Sequence, residues 1–231
     1  MPGLTRSAAD PLVLLPGMNC SARLWSLLGL DAAIRPNLTE PSLAGQVDRL
    51  LDELPPRFAL AGLSLGASVA MAVIRRASER VSWLALMSAN PYPPTEAQYA
   101  TWRAHRSALA GGTSARELQA DLLPVLLSPR VIGHRPDLVE ATLRMADEVG
   151  DAALDAQLAL QATRIDERDG LREVRCQTMI IAARDDALCP VERHQEMHRL
   201  IPGSELLIID ECAHLSPLEQ PELISPAISQ A

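Results

Sequence analysis

Gly62-Leu63-Ser64-Leu65-Gly66 separates one apolar run, Phe58-Ala59-Leu60-Ala61, from another, Ala67-Ser68-Val69-Ala70-Met71-Ala72-Val73-Ile74. The first run follows Pro55-Pro56 and shows no polar alternation, which predicts a strand buried on both faces. The second is apolar on every side and ends on Arg75-Arg76, as expected of a helix enclosed in a core with cations at its carboxyl end. A strand that enters a helix through G-x-S-x-G must turn sharply. The glycines permit that backbone and a close approach of helix to strand, and the turn lifts the Ser64 hydroxyl above the sheet edge. The N–H of Leu65, in the first helical turn, points where an oxyanion would develop.

Working outward, further short apolar runs alternate with helical stretches. Leu12-Val13-Leu14-Leu15 is a buried strand stopped by Pro16-Gly17, and Ala32 to Leu38 is a weaker strand candidate. Val81 to Met87, Thr178 to Ala183 and Leu206 to Ile209 complete the strands. Leu24, Trp25, Leu27 and Leu28 suggest a helix, and Ser42 is placed to cap one carrying Leu43, Val47, Leu50, Leu51 and Leu54. Val191 to Ile201 is a further helix, and a last one holds Leu223, Ile224 and Ile228, interrupted or shortened by Pro226. The alternation predicts an α/β fold: a mostly parallel sheet of about six strands, helices on both faces, one domain over 1–231.

From Pro91 to Arg175 the alternation stops. The segment reads as several helices broken at Gly111-Gly112, Pro124, Pro129, Gly133 and Pro136. Leu138, Thr142, Met145 and Val149 form one stripe, and Leu154, Leu158 and Ile165 another. A helical block of this kind, 91–175, is most simply a cap inserted over the carboxyl edge of the sheet.

The 231 residues are 48% hydrophobic and 22% charged with a net charge of −8, and their basic residues are scattered. That balance argues for a globular protein and against nucleic acid or an anionic membrane as partner. No run approaches the length of a membrane span, and Met1 to Asp10 lacks a signal peptide's order, so a cytoplasmic location is expected. Cys20, Cys176, Cys189 and Cys212 are widely spaced and read as reduced thiols.

An acyl-transfer serine requires a base, an acid that orients it, and donors for the oxyanion. Ser64, an Asp and His214 occur in that order at the carboxyl ends of strands, where open α/β sheets bind ligands. His214, on the loop after the last strand, is the expected base. Asp185, Asp186 and Asp210 compete as its acid, with spacing to Pro190 favouring Asp186. Met18, following Pro16-Gly17, is best placed to supply the second oxyanion N–H beside Leu65. His194 and His198 have a metal-like spacing of four, but no third ligand accompanies them. His105 and His134 read as surface or packing residues. No cofactor or metal is required.

These stretches together resemble the α/β-hydrolase superfamily, and in particular small bacterial serine esterases with a helical cap. Leu14-Leu15-Pro16-Gly17 is similar to the family's oxyanion-loop segment, although Pro16 stands where many members carry His. Residues Gly62 to Gly66 match its nucleophile elbow. Arg184-Asp185-Asp186-Ala187-Leu188-Cys189-Pro190 is similar to its acid turn, which assigns Asp186. Cys212-Ala213-His214-Leu215-Ser216-Pro217-Leu218-Glu219-Gln220-Pro221 resembles its histidine loop, with Ala213 where Gly is usual. The antiparallel hairpin that often begins such sheets has no counterpart.

The resemblance implies a carboxylesterase with Ser64, Asp186 and His214 as catalytic residues and the N–H groups of Met18 and Leu65 as oxyanion hole. The same site chemistry also serves thioesters, lactones and C–C bonds, and a non-catalytic ligand-binding protein on the same fold is the contrasting class. Small acyl esters are the expected ligands, and no oligomeric state is indicated. Tyr92, Tyr99 and Trp102 are candidates to line an otherwise aliphatic pocket. A C–C hydrolase would need a cationic pocket group, which is not evident in the scattered Arg103, Arg106, Arg130, Arg135 and Arg144.

Overall fold

The computed structural model describes residues 10–229. Five strands, β1 (Leu12–Leu15), β2 (Phe58–Leu63), β3 (Val81–Met87), β4 (Gln177–Ala183) and β5 (Glu205–Ile209), form one sheet in that order. Every pairing is parallel, and the register aligns Leu15 with Gly62, Gly62 with Leu86, and Leu86 with Ile180. The carboxyl ends of the strands therefore share one edge of the sheet.

The sixth strand is a correction. Ala32 to Leu38 contributes one bridge, Val13 to Ile34. Ile34 N–H donates to Leu12 O at 2.8 Å, and Leu14 N–H donates to Ile34 O at 2.9 Å. The next donor in that ladder would be residue 36, and Pro36 has no N–H. The helix expected around Trp25 is likewise only a 3-10 turn, Ala22–Trp25, with Leu27 exposed.

Helices α1 (Leu43–Glu53), α2 (Leu65–Ala77) and α9 (Val191–Leu200) pack on one face of the sheet. Val13, Leu15, Leu60, Leu84 and Ile180 point to them. Their neighbours Leu12, Leu14, Ala59, Ala61, Trp83 and Ile181 face the other way, as strand alternation requires, and meet Trp25, Leu215, Ile224 and Ile228. The last two belong to α11 (Pro221–Ser229), which follows α10 (Ser216–Glu219) and runs through Pro226 rather than ending there. Ser42 caps α1 as expected, its side chain accepting from Gly45 N–H.

Between β3 and β4 lie α3 (Glu96–Ala110), α4 (Ala115–Leu126), α5 (Pro129–His134), α6 (Pro136–Val149), α7 (Asp151–Gln161) and α8 (Arg168–Arg172). Capping boxes at Thr95 with Gln98 and at Ser114 with Glu117 begin the first two. Pro129 and Pro136 open α5 and α6, whereas Pro124 and Gly133 lie inside helices. Trp102, Leu118, Ala146, Leu154 and Leu158 form the insert's own core. Ile165, expected in that stripe, lies beyond α7 and is exposed. Among the described residues no helix is long and apolar enough to cross a membrane.

Gly66 sets how closely α2 can approach β1: a Cβ there would lie 2.1 Å from the Leu15 carbonyl oxygen. Gly66→Ala is therefore expected to destabilise the fold by about 3 kcal/mol or more in urea unfolding. Gly133→Ala, where a Cβ meets nothing within 4 Å inside a helix, should stabilise it by about 0.5–1 kcal/mol.

Candidate active site

Ser64 occupies the step from β2 into α2 with φ 56° and ψ −111°. A non-glycine residue there carries strain of roughly 1–3 kcal/mol, which persists only where its surroundings enforce it. They do so here through contact: a Cβ on Gly62 would lie 2.4 Å from Gly66 O, so the turn closes only around two glycines. The side chain of Ser64 is half-buried and faces a cavity enclosing about 730 Å³, part of it open solvent. Leu65, the first residue of α2, packs its side chain in the core, and its N–H is among those with no intrahelical acceptor. Met18, in the turn after β1, lines the same cavity as Ser64.

His214 lies between β5 and α10, is buried, and also lines this cavity. Its Nδ1 is 2.8 Å from Asp186 Oδ2 and 3.0 Å from Oδ1. An ionised carboxylate only accepts, so Nδ1 carries the proton and Nε2 is the free basic nitrogen. The turn after β4 holds Asp186 in place, with Oδ1 accepting from the N–H groups of Leu188 and Cys189, each at 2.9 Å. Burial by itself raises the pKa of Asp186. The neighbouring His214 and the Cys189 N–H outweigh it and hold the carboxyl below its ordinary range. The competing acids lie elsewhere: Asp185 is exposed, and Asp210 pairs with Arg184 on the surface.

Several supporting groups were not legible in the sequence. Ser88, in the left-handed region at φ 45°, donates its hydroxyl to the His214 carbonyl at 3.0 Å. Glu219 Oε1 accepts from Ala213 N–H at 3.3 Å and from Ser128 N–H at 3.0 Å, pinning the histidine loop to the start of α5. Asn19, at φ 56° and buried, joins the β1 turn to the insert. Its N–H donates to Gln157 Oε1 at 2.8 Å, and its Nδ2 donates to Ala115 O and Gln119 Oε1. The one available signal was Glu219, a carboxylate within the stretch from Cys212 to Pro221.

His194 and His198 do not form a metal site. Ala89 N–H donates to His194 Nε2 at 2.8 Å, so Nδ1 carries the proton and donates to Pro190 O at 3.1 Å. His198 Nδ1 meets Ser204 Oγ at 3.0 Å. Potential ligand atoms of Asp186, Cys189 and His214 do lie within 4.8 Å of one another. However, burial pushes the Cys189 thiol far up, and His214 Nδ1 is committed to Asp186. Both Asp186 oxygens already face His214 Nδ1, and Oδ1 also accepts two backbone N–H groups, so the carboxylate is engaged within the protein. Of the three aromatic candidates, Trp102 lines the cavity. Tyr99 packs edge-on against Trp102 at 6.0 Å, and Tyr92 hydrogen-bonds Glu196 while Arg168 and Arg193 lie against its ring.

Residues 12–227 match the sequence model described as the alpha/beta hydrolase family. The chain belongs to that family. This hydrolase is 29% identical over 189 residues, 78% of its length, to a pimeloyl-[acyl-carrier protein] methyl ester esterase of Nitrosomonas europaea, covering 73% of that protein. Among solved structures it is similar to an esterase from Thermogutta terrifontis, with a TM-score of 0.83, 22% identity, and 97% and 94% of the two chains covered. An enol-lactonase from Burkholderia xenovorans gives a TM-score of 0.82 at 14% identity, covering 96% and 91%. These structural likenesses show the α/β-hydrolase fold.

Burial holds His194 below its ordinary value of 6.5, despite the opposing effect of Pro190 O and Asp186. The unfolded chain therefore binds a proton that the folded one refuses, and stability falls as pH drops below about 6.5. His194→Gln should be less stable at pH 8, with a shallower loss of stability between pH 7 and 5, both measured by urea unfolding.

Proposed function

We propose that this hydrolase cleaves a carboxylic ester through an acyl-enzyme formed on Ser64. The observation that carries the reading is the buried Asp186–His214 hydrogen bond, which leaves Nε2 as the free base on the wall of the cavity that also holds the strained Ser64. In this mechanism His214 Nε2 takes the Ser64 proton as Oγ attacks the acyl carbon, and Asp186 holds the tautomer and stabilises the imidazolium. The N–H groups of Met18 and Leu65 bind the oxyanion, each donor contributing roughly 3 kcal/mol to the transition state. His214 then protonates the departing alcohol, and the same imidazole activates the water that releases the acid and restores Ser64. The name of the Nitrosomonas relative, a methyl ester esterase, supports an ester over a C–C bond.

Hydrolysis of p-nitrophenyl esters from short to long acyl chains tests this. Wild type should turn over, and Ser64→Ala should lower kcat by several orders of magnitude, about 10³-fold or more. Asp186→Asn, which presents the wrong hydrogen-bond partner to Nδ1, should cost about 10⁴-fold. Full activity in Ser64→Ala would remove the proposal, and wild type without activity or fluorophosphonate labelling would favour a ligand-binding protein.

A further inference from the structure

The cavity beside Ser64 contains a guanidinium with no anionic partner. Arg164, just beyond α7, lines it together with Gln98, Trp102, Gln119 and Gln161. Its Nη1 donates to Gln161 Oε1 at 2.9 Å, its Nη2 donates to Tyr92 O at 3.1 Å, and the group lies over the Trp102 ring at 5.8 Å. Both hydrogen-bond partners are neutral. Among the described residues no carboxylate pairs with Arg164, whereas Arg106, Arg116, Arg135 and Arg144 on the outside of the insert each hold one.

Structural duty alone accounts poorly for that arrangement. Bridging a glutamine and a carbonyl is work a neutral donor can do, and a charge withdrawn from water without a counter-charge is costly. Burial accordingly pulls the Arg164 pKa down. Of the five N–H donors in the fork, the protein engages two, which leaves donors and an uncompensated positive charge for a ligand. Gln119 lines the same cavity with its side chain buried, its Oε1 accepting from Asn19 Nδ2. The rest of the wall includes Met18, Leu63, Leu122, Leu126, Leu188 and Leu215. An aliphatic chamber with one cation and neutral amides fits a short acyl chain ending in a single negative charge.

We propose that Arg164 is a specificity residue and that the substrate is an ester bearing a free carboxylate, recognised by Arg164 as Ser64 attacks the ester carbonyl. This rests on the ester-hydrolase reading and narrows it to anionic acyl esters. A carboxylate suits the site better than a phosphate dianion, because one guanidinium among neutral amides balances one charge.

The test compares monomethyl succinate, glutarate and adipate with methyl alkanoates of matching chain length, at low salt. Wild type should prefer the anionic ester in kcat/KM by roughly tenfold or more at one of these lengths. In Arg164→Gln that ratio should fall to about one, whereas Arg164→Lys should keep part of it. A wild-type ratio at or below one for every length overturns the proposal, as does an unchanged ratio in Arg164→Gln. If Arg164→Gln does not fold, the wild-type ratio decides together with competition: glutarate should inhibit neutral-ester hydrolysis and glutaramide should not, and equal inhibition overturns the inference. Should wild type hydrolyse neither ester class, the ester reading fails by itself. The anion site is then judged on Ser64→Ala, whose Tm glutarate should raise in an Arg164-dependent way, and no rise overturns it.

Discussion

The contact between Gly66 and the end of β1 is the constraint on which the rest of the site depends. Because α2 starts almost against the Leu15 carbonyl, the chain between β2 and α2 has no room for an ordinary loop. Ser64 must take φ 56° to make the turn, and the strain is held by packing rather than by a side-chain cap, since none is formed at this helix start. The same closeness brings the first N–H groups of α2 next to the β1 turn that carries Met18. One steric condition thus places the Ser64 turn and the Met18 turn side by side at one edge of the sheet.

His214, which lines the same cavity as Ser64, and its partner Asp186 come from loops far apart in sequence, and buried hydrogen bonds give those loops their positions. Ser88 closes β3 and holds the His214 carbonyl, while Glu219 holds the preceding N–H of Ala213. His194 links Ala89 after β3 to Pro190 at the end of the acid turn. Burial raises the Glu219 pKa and lowers that of His194, so both are disposed toward the neutral form in a water-poor setting. Removing either would leave a backbone N–H without its partner, a heavier cost than the bond itself contributes.

How far the sequence could be read follows from where each signal resides. Ser64, Leu65 and Met18 sit on local patterns, a strand, a glycine turn and a helix, which short-range sterics dictate. Asp186 and His214 were legible as an order of residue types, and the spacing from Pro190 favoured Asp186 over Asp185 and Asp210, whose carboxylates the folded loops leave at the surface. The strand expected from Ala32 to Leu38 stops at one bridge because Pro36, flanked by Arg35 and Asn37, cannot donate to the ladder. Pro124 and Pro226 erred in the other direction, since helices can absorb a proline. Arg164 carried no sequence signal: an arginine between Thr163 and Ile165 looks like solvated surface until α3 and α7 enclose it.

The helical insert is also tied to the chemistry by more than proximity. Asn19, one residue past Met18, hydrogen-bonds α4 through Ala115 and Gln119 and α7 through Gln157, and Gln157 in turn donates to Leu38 O at 2.9 Å. Swinging the insert away would break this buried set, each bond worth about 1 kcal/mol net and more if its groups stayed dry. The insert therefore behaves as a wall of the cavity rather than a hinged flap. A wall attached at the β1 turn keeps Met18, the apolar lining and the Arg164 guanidinium in one frame, so that the distance from Ser64 to that charge is set by the fold.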